Sequence, residues 1–546
     1  MGSYVVLDGT GLDAESVAAI ADREAEPTVL PEAFARAERS WHTARRVAEA
    51  GRLYGRHTGV GANRGVPVDP ADQAGQDLRL LRSHAGGIGA PLPARQIRAM
   101  LAVRANQVLA GGSGIQPAVV TALVEALRLG VHPAVREYGA VGTGDLTALA
   151  CTGLALIGEE PWVRGEGAGP VAGEEPHAGA ASAAGASAAG AASAPEAASA
   201  AGAAASVPGA SFAGAASAQG EAEPARIVLG QGDALSLMSS NALTLGQAAL
   251  ACHDLGVLLQ ATHAVAALSL AAVGGSPEAY AAPVHELRPY PGARRAAAEV
   301  RRLLALPDIP TTTGRRIQDP YGFRAFPQVH GQATEAAAAL ARILAVEVNC
   351  ASENPLISED GGADGGPAAY HHGGFFAAPL GLALDQLSLT VLQTAQLSVA
   401  RLTHLSEPEM TGLRAFLATG PATSSGIMVL EYSASSALAE IRASAAAPAS
   451  AGHAVLSRGT EEAASFASQA ARQALRTVDA YRQLLACELV AAVRALRMRT
   501  EPLPEAPVFA VLGAGMSAAL PLSTEDRSLS GDVHAAAGLL RTLAEL

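Results

Sequence analysis

Residues 380 to 402 read LGLALDQLSLTVLQTAQLSVARL. Asp385 and Arg401, near the two ends, are the only charges, and Gln, Thr and Ser fill the other polar positions. A helix this long and apolar on most sides belongs in the middle of a bundle or of an oligomer core. Thr244–Val273 is similar, its apolar run interrupted by Gln247, His253, Asp254, Gln260 and His263. Those interruptions read as a buried helix rather than a membrane span. Between 96 and 109, Ile97, Met100, Leu101, Ala105, Val108 and Leu109 recur at helical spacing. Glu461–Arg497 is another long helical candidate, free of Pro and Gly. Aromatic residues are only 4% and alanine is abundant, so such helices can approach closely. No convincing run of alternating residues marks a strand. The expected fold class is all-α.

The composition narrows the functions. The 546 residues are 49% hydrophobic and 16% charged, enough for one large core or several ordinary domains. A formal net charge of −13 is a poor basis for nucleic-acid binding, which depends on basic surface. All 38 basic residues are arginine, which removes Schiff-base and P-loop lysine chemistry. Cys151, Cys252, Cys350 and Cys487 are widely spaced, with no CxxC pair. That fits a reducing cytoplasm and neither a zinc site nor a disulfide scaffold. The first residues lack the basic and apolar regions of a signal peptide. From about Gly165 to Ala225 the chain is almost entirely Ala, Gly, Ser, Pro and Glu, too poor in apolar area to offset its ordering entropy. Residues 165–225 are therefore expected to be a flexible insertion. It separates an N-terminal part, 1–164, from a long-helix part, 226–546.

Two motifs are set aside. Gly513-Ala514-Gly515-Met516-Ser517-Ala518 matches a dinucleotide fingerprint, but too little chain follows to complete a nucleotide-binding half. His371 and His372 are adjacent, point different ways and have no ligand at helical spacing, so no metal site is expected.

The informative residues form an ordered series. Tyr54-Gly55-x-x-Thr58-Gly59-x-Gly61 comes first, then Ser83-His84-Ala85-Gly86-Gly87-Ile88-Gly89. Arg104-Ala105-Asn106 leads to Gly112-Ser113-Gly114, followed by Gly142-Thr143-Gly144-Asp145-Leu146. Gln318-Asp319-Pro320-Tyr321-x-x-Arg324-x-x-Pro327-Gln328 precedes Ser352-Glu353-Asn354-Pro355-Leu356. In this order the chain resembles the aromatic amino acid lyase family, the histidine, tyrosine and phenylalanine ammonia-lyases with their aminomutase relatives. The resemblance runs from about Tyr54 to Glu525-Asp526-Arg527, the insertion excepted.

The resemblance implies a long-helix bundle assembled as a homotetramer, with a small aromatic or heteroaromatic amino acid, or a derivative, as substrate for C–N elimination or addition. It implies no external cofactor, and the acidic charge and interrupted helices lead us to expect no nucleic-acid partner and no membrane. Family members build an electrophile, a methylidene-imidazolone (MIO), from an Ala-Ser-Gly triad. Here the triad position is Gly142-Thr143-Gly144, one residue short, with Thr for Ser. An alkene made from Thr143 would carry an extra methyl. Our preferred reading is that no MIO forms, because the autocatalytic turn depends on its geometry.

Other positions carry over singly. Tyr54 matches the general base, which needs a lowered pKa to act near neutrality. Arg324 matches the arginine that holds the substrate carboxylate, a role suited to its fork of donors. Tyr321 matches a tyrosine beside the electrophile, and His84 a position touching the substrate ring. Glu461 matches a carboxylate near the substrate amine or ring. Ser239 stands where the family has the asparagine that bonds the MIO oxygen, and Phe376 falls in the segment where it has Gly-Gly-Asn-Phe-His. The departures cluster around the electrophile, while Tyr54 and Arg324 remain. Two alternatives stay open: an MIO-independent acid/base enzyme (conjugate addition, cyclisation or isomerisation) and a catalytically silent homologue.

Overall fold

The computed structural model describes residues 3–69, 72–165, 222–306, 316–500, 502–510, 516 and 519–546. Apart from its edges the 165–225 insertion lies outside them, as does Gly513-Ala514-Gly515. The chain is mostly helical. Residues 380–402 lie within a 29-residue helix, Ala378–Ser406. It packs between Phe326–Glu347 and the 32-residue helix Ala467–Met498. Ala467–Met498 also packs on Ala242–Ala272, of 31 residues, and on Met428–Ala445. Ala94–Leu109 closes the far side of Ala242–Ala272.

Burial follows the pattern of apolar residues. Leu380, Leu384, Leu387, Val391, Ala395 and Leu402 recur every three or four residues, with one wider step, and are fully buried. Each such leucine contributes about 1.5–3 kcal/mol relative to an exposed one. Several of the polar interruptions find partners inside the bundle. Asp385 accepts backbone N–H groups of Ala449 and Ser450 at 3.0 and 2.9 Å. Gln247 donates to Gln96 at 2.8 Å, and Asp254 pairs with Arg95 at 2.6 Å. His263 meets the His330 ring at right angles, 4.5 Å between centroids. Among the described residues one stretch, within Asp233–Ala272, is long and apolar enough to cross a membrane, and it is this core helix.

Two expectations need correction. Among the described residues there are four two-stranded sheets: parallel Ser3–Leu7 with Ala25–Val29, and antiparallel Ile88–Pro91 with Arg136–Tyr138, Val131–Pro133 with Trp162–Arg164, and Leu356–Ser358 with Ala368–Tyr370. Strands of three to five residues are too short for alternation to register. The last long helix starts at Ala467, not Glu461. Glu461 instead forms a bridge with Leu456, and Phe466 takes a left-handed conformation at φ 51° that starts the helix afresh. The four cysteines are free, and no group of three His, Cys, Asp or Glu able to hold a metal occurs among the described residues.

Candidate active site

Tyr54 sits in a glycine-rich turn whose Gly55 and Gly61 have φ of 73° and 53°, conformations that glycine adopts without penalty. The Gly61 N–H donates to the Tyr54 hydroxyl oxygen at 2.8 Å. A second loop, 456–461, closes over this turn: Ala62 N–H donates to Ser457 Oγ at 2.8 Å, and Arg64 to Thr460 Oγ1 at 2.8 Å. That brings Glu461 beside Tyr54. Burial pushes the Tyr54 phenol above its usual value, the Glu461 charge adds to this, and the Gly61 N–H and Arg64 oppose it. The expected lowering is therefore not what this environment provides: burial outweighs the donors. The His371 ring meets the Tyr54 ring edge-on, centroids 6.3 Å apart.

Glu461 leads by sequence to Ser465, and Ser465 to the triad. Its Oγ donates to the Gly142 carbonyl at 2.7 Å, and Phe466 N–H donates to Val141 O at 2.8 Å. On the other side Gly144 N–H donates to Asn241 Oδ1 at 3.0 Å, while Asn241 Nδ2 donates to Phe375 O at 2.6 Å. The triad thus lies at the start of the Leu146–Ile157 helix, clasped between two neutral side chains. Asp145 follows, fully buried. Its carboxylate accepts from Thr244 N–H and Oγ1, both at 2.8 Å, yet burial outweighs these bonds and raises its pKa to about 6.

Among the described residues Ser239 makes no hydrogen bond to the triad. Its Oγ accepts Asn354 N–H at 3.0 Å and its carbonyl accepts Ser352 Oγ at 3.2 Å. It holds the 352–355 turn, where Glu353 makes a buried ion pair with Arg104 at 2.7 Å. Asn241, two residues later, makes the contact with the triad instead. Phe376 lies in the turn that Asn241 braces through Phe375. His84 ends the Gln73–His84 helix, half-buried, with Nδ1 2.9 Å from Leu80 O. Sequence reasoning missed Ser465 and Asn241. A lone Ser and a lone Asn offered no pattern, and 323 residues separate Ser465 from Gly142.

Tyr321 and Arg324 are elsewhere. They form the one-turn helix Tyr321–Arg324 against Ala400 and Arg401, near the C-terminal end of the Ala378–Ser406 helix. The triad end is marked by Gly381, beside Ser465. Twenty residues at 1.5 Å per residue put the two ends about 30 Å apart. The Arg324 guanidinium stacks over the Tyr321 ring at 4.4 Å, and no carboxylate partners it among the described residues. Tyr321 is 69% exposed.

The profile of the family described as "Aromatic amino acid lyase" matches residues 12–519. The chain belongs to this family. It is 32% identical to the histidine ammonia-lyase of Geobacillus thermodenitrificans over 556 positions, covering 99% of this chain and 98% of that one. It is also 32% identical to the histidine ammonia-lyase of Koribacter versatilis, covering 89% and 87%. Among solved structures, tyrosine aminomutase from Streptomyces globisporus has a TM-score of 0.81 at 24% identity, covering 99% and 97%. Histidine ammonia-lyase from Trypanosoma cruzi has 0.80 at 24%, covering 99% and 93%. At that identity these likenesses show the fold. As an aromatic amino acid lyase the chain is an enzyme of the carbon–nitrogen lyase class, akin to ammonia-lyases and aminomutases of aromatic amino acids.

The aromatic amino acid lyase triad would close its ring by a bond from the Gly144 nitrogen to the Gly142 carbonyl carbon. Here each group is satisfied as an open-chain peptide, by Asn241 and Ser465. Gly142 and Gly144 have φ of 82° and 113°. A Cβ on Gly142 would lie 2.2 Å from Ser465 Oγ and 2.8 Å from the Ala467 nitrogen, so the family's alanine has no room. These residues are held as an open turn, its Gly142 carbonyl and Gly144 N–H both hydrogen-bonded.

Proposed function

We propose that this aromatic amino acid lyase acts on a small aromatic or heteroaromatic amino acid, or a derivative, by C–N elimination or addition, without an MIO group. One observation carries the reading: Glu461 stands beside Tyr54, and four residues further along the chain Ser465 bonds the Gly142 carbonyl of an open turn. In elimination, the Tyr54 oxygen takes the proton from the substrate's β-carbon. That C–H pair becomes the double bond, and the cationic amine leaves with the C–N pair. A cationic amine against Glu461 neutralises the charge that helps hold the Tyr54 phenol up, so substrate binding itself favours the ionised base. The second reading is an MIO-independent conjugate addition, cyclisation or isomerisation. The raised Tyr54 pKa favours it, because a phenol kept protonated is an acid waiting for a carbanion.

The Arg324 guanidinium would hold the substrate carboxylate. It lies about 30 Å from the triad along one helix, far more than an aromatic amino acid spans. The complete site therefore needs Arg324 from another copy, and a homotetramer supplies it. Leu382, Leu389, Val429 and Tyr432 are exposed on the long helices and offer apolar surface for that assembly. A cytoplasmic location fits the free cysteines, of which Cys350 and Cys487 are pushed up to about 11 by burial.

Intact mass with peptide mapping across residues 139–146 tests the open triad. An unmodified mass is expected; a deficit of two waters there would overturn it. Tyr54→Phe is expected to lower turnover of the cognate substrate by about 10²–10⁴-fold with the assembly intact on size-exclusion chromatography. Unchanged turnover would remove Tyr54 from the mechanism.

A further inference from the structure

Among the described residues no carboxylate partners Arg324, and something must aim it. The two peptide carbonyls that precede it are both held from inside the bundle. Arg401 Nη1 donates to Gly322 O at 3.1 Å, and the Tyr280 hydroxyl donates to Phe323 O at 2.7 Å. Arg401 and Tyr280 are fully buried, on different helical segments. Arg401 is in turn fixed by a two-pronged bond to Glu488, at 2.6 and 2.8 Å. Glu488 also accepts the hydroxyls of Ser269, at 2.7 Å, and Ser398. The Arg401 guanidinium lies 5.2 Å above the Phe326 ring, just past the turn. Before the turn, Asp319 accepts Arg316 Nε and Nη2 at 2.9 and 2.8 Å. A buried ion pair is rarely a net source of stability compared with apolar residues of the same volume, whereas it does fix geometry. Here the one Arg401 nitrogen that Glu488 leaves free is spent on the backbone two residues before Arg324.

We infer that Arg401, braced by Glu488, and the Tyr280 hydroxyl are positioning residues that orient Arg324 toward a substrate carboxylate. This rests on the reading of Arg324 as the carboxylate-binding residue. The experiment separates the two. Cinnamate, an aromatic acrylate, and its neutral analogue cinnamamide are titrated calorimetrically into the native assembly, and the affinity ratio reports the carboxylate contact alone. Wild type is expected to favour cinnamate, and Arg324→Ala to abolish the preference. No preference in wild type would overturn the reading of Arg324, and the inference with it. Tyr280→Phe removes a single oxygen and is expected to lower the ratio roughly fivefold, the effect of one neutral hydrogen bond, with cinnamamide affinity unchanged. Arg401→Lys keeps the charge but loses the two-pronged bond, and is expected to lower the ratio further. A ratio unchanged in Tyr280→Phe, with Arg324→Ala still abolishing it, would overturn the positioning role. So would equal losses for both ligands, the mark of a merely structural change.

Discussion

The Ala378–Ser406 helix has two different ends. At its C-terminal end a buried, charged network holds the Tyr321–Arg324 turn: Arg401 with Glu488, two serines and Tyr280. At its N-terminal end the Gly142–Gly144 turn is held by neutral side chains, Ser465 and Asn241, and by left-handed glycines. A charged network with every group paired cannot lose a member without leaving a buried charge alone. A turn held by neutral hydrogen bonds can lose a residue and settle into a new shape. The two ends therefore differ in what a substitution costs.

Unequal costs at the two ends would bear this out. Glu488→Ala strands the Arg401 charge and is expected to cost about 3–5 kcal/mol, read as a lowered denaturation midpoint. A loss below about 1 kcal/mol would dissolve the contrast. At the triad end Asp145 is fully buried, and its pKa of about 6 stands above the ordinary 3.8. Protonation therefore favours the fold. This contribution is complete below about pH 4 and is lost as pH rises through about 6, amounting to about 3 kcal/mol. Asp145→Asn is expected to remove the share of this that falls between pH 5 and pH 8, about 1.4 kcal/mol; an unchanged difference would mean Asp145 is ionised in the fold. Ser465→Ala should be mildest, about 1 kcal/mol, since it deletes one neutral bond to Gly142. If it cost as much as Glu488→Ala, the triad turn would be as rigidly specified as the arginine end.

Much of the frame was legible in the sequence. The helices Ala94–Leu109, Ala242–Ala272 and Ala378–Ser406 announce themselves because long periodic runs repeat their signal many times. The residues from Glu461 to Phe466 look equally helical, yet they form a bridge and a left-handed turn, because contacts with the Tyr54 loop and with Val141 outweigh local propensity. Tyr54, Glu461 and the shortened triad could be picked out as motif positions. That Tyr54 is held above its usual pKa could not, since burial is a property of the packed loops.

The sequence by itself determined the family, the helical frame and the altered triad, since these depend on residue identity and short-range order. Only the tertiary structure decided what each polar group faces. It gave Gly142 and Gly144 open-chain partners, turned Ser239 away and Asn241 inward, and set Arg324 about 30 Å from the triad. Those outcomes depend on contacts between residues far apart in the chain, which no local pattern encodes.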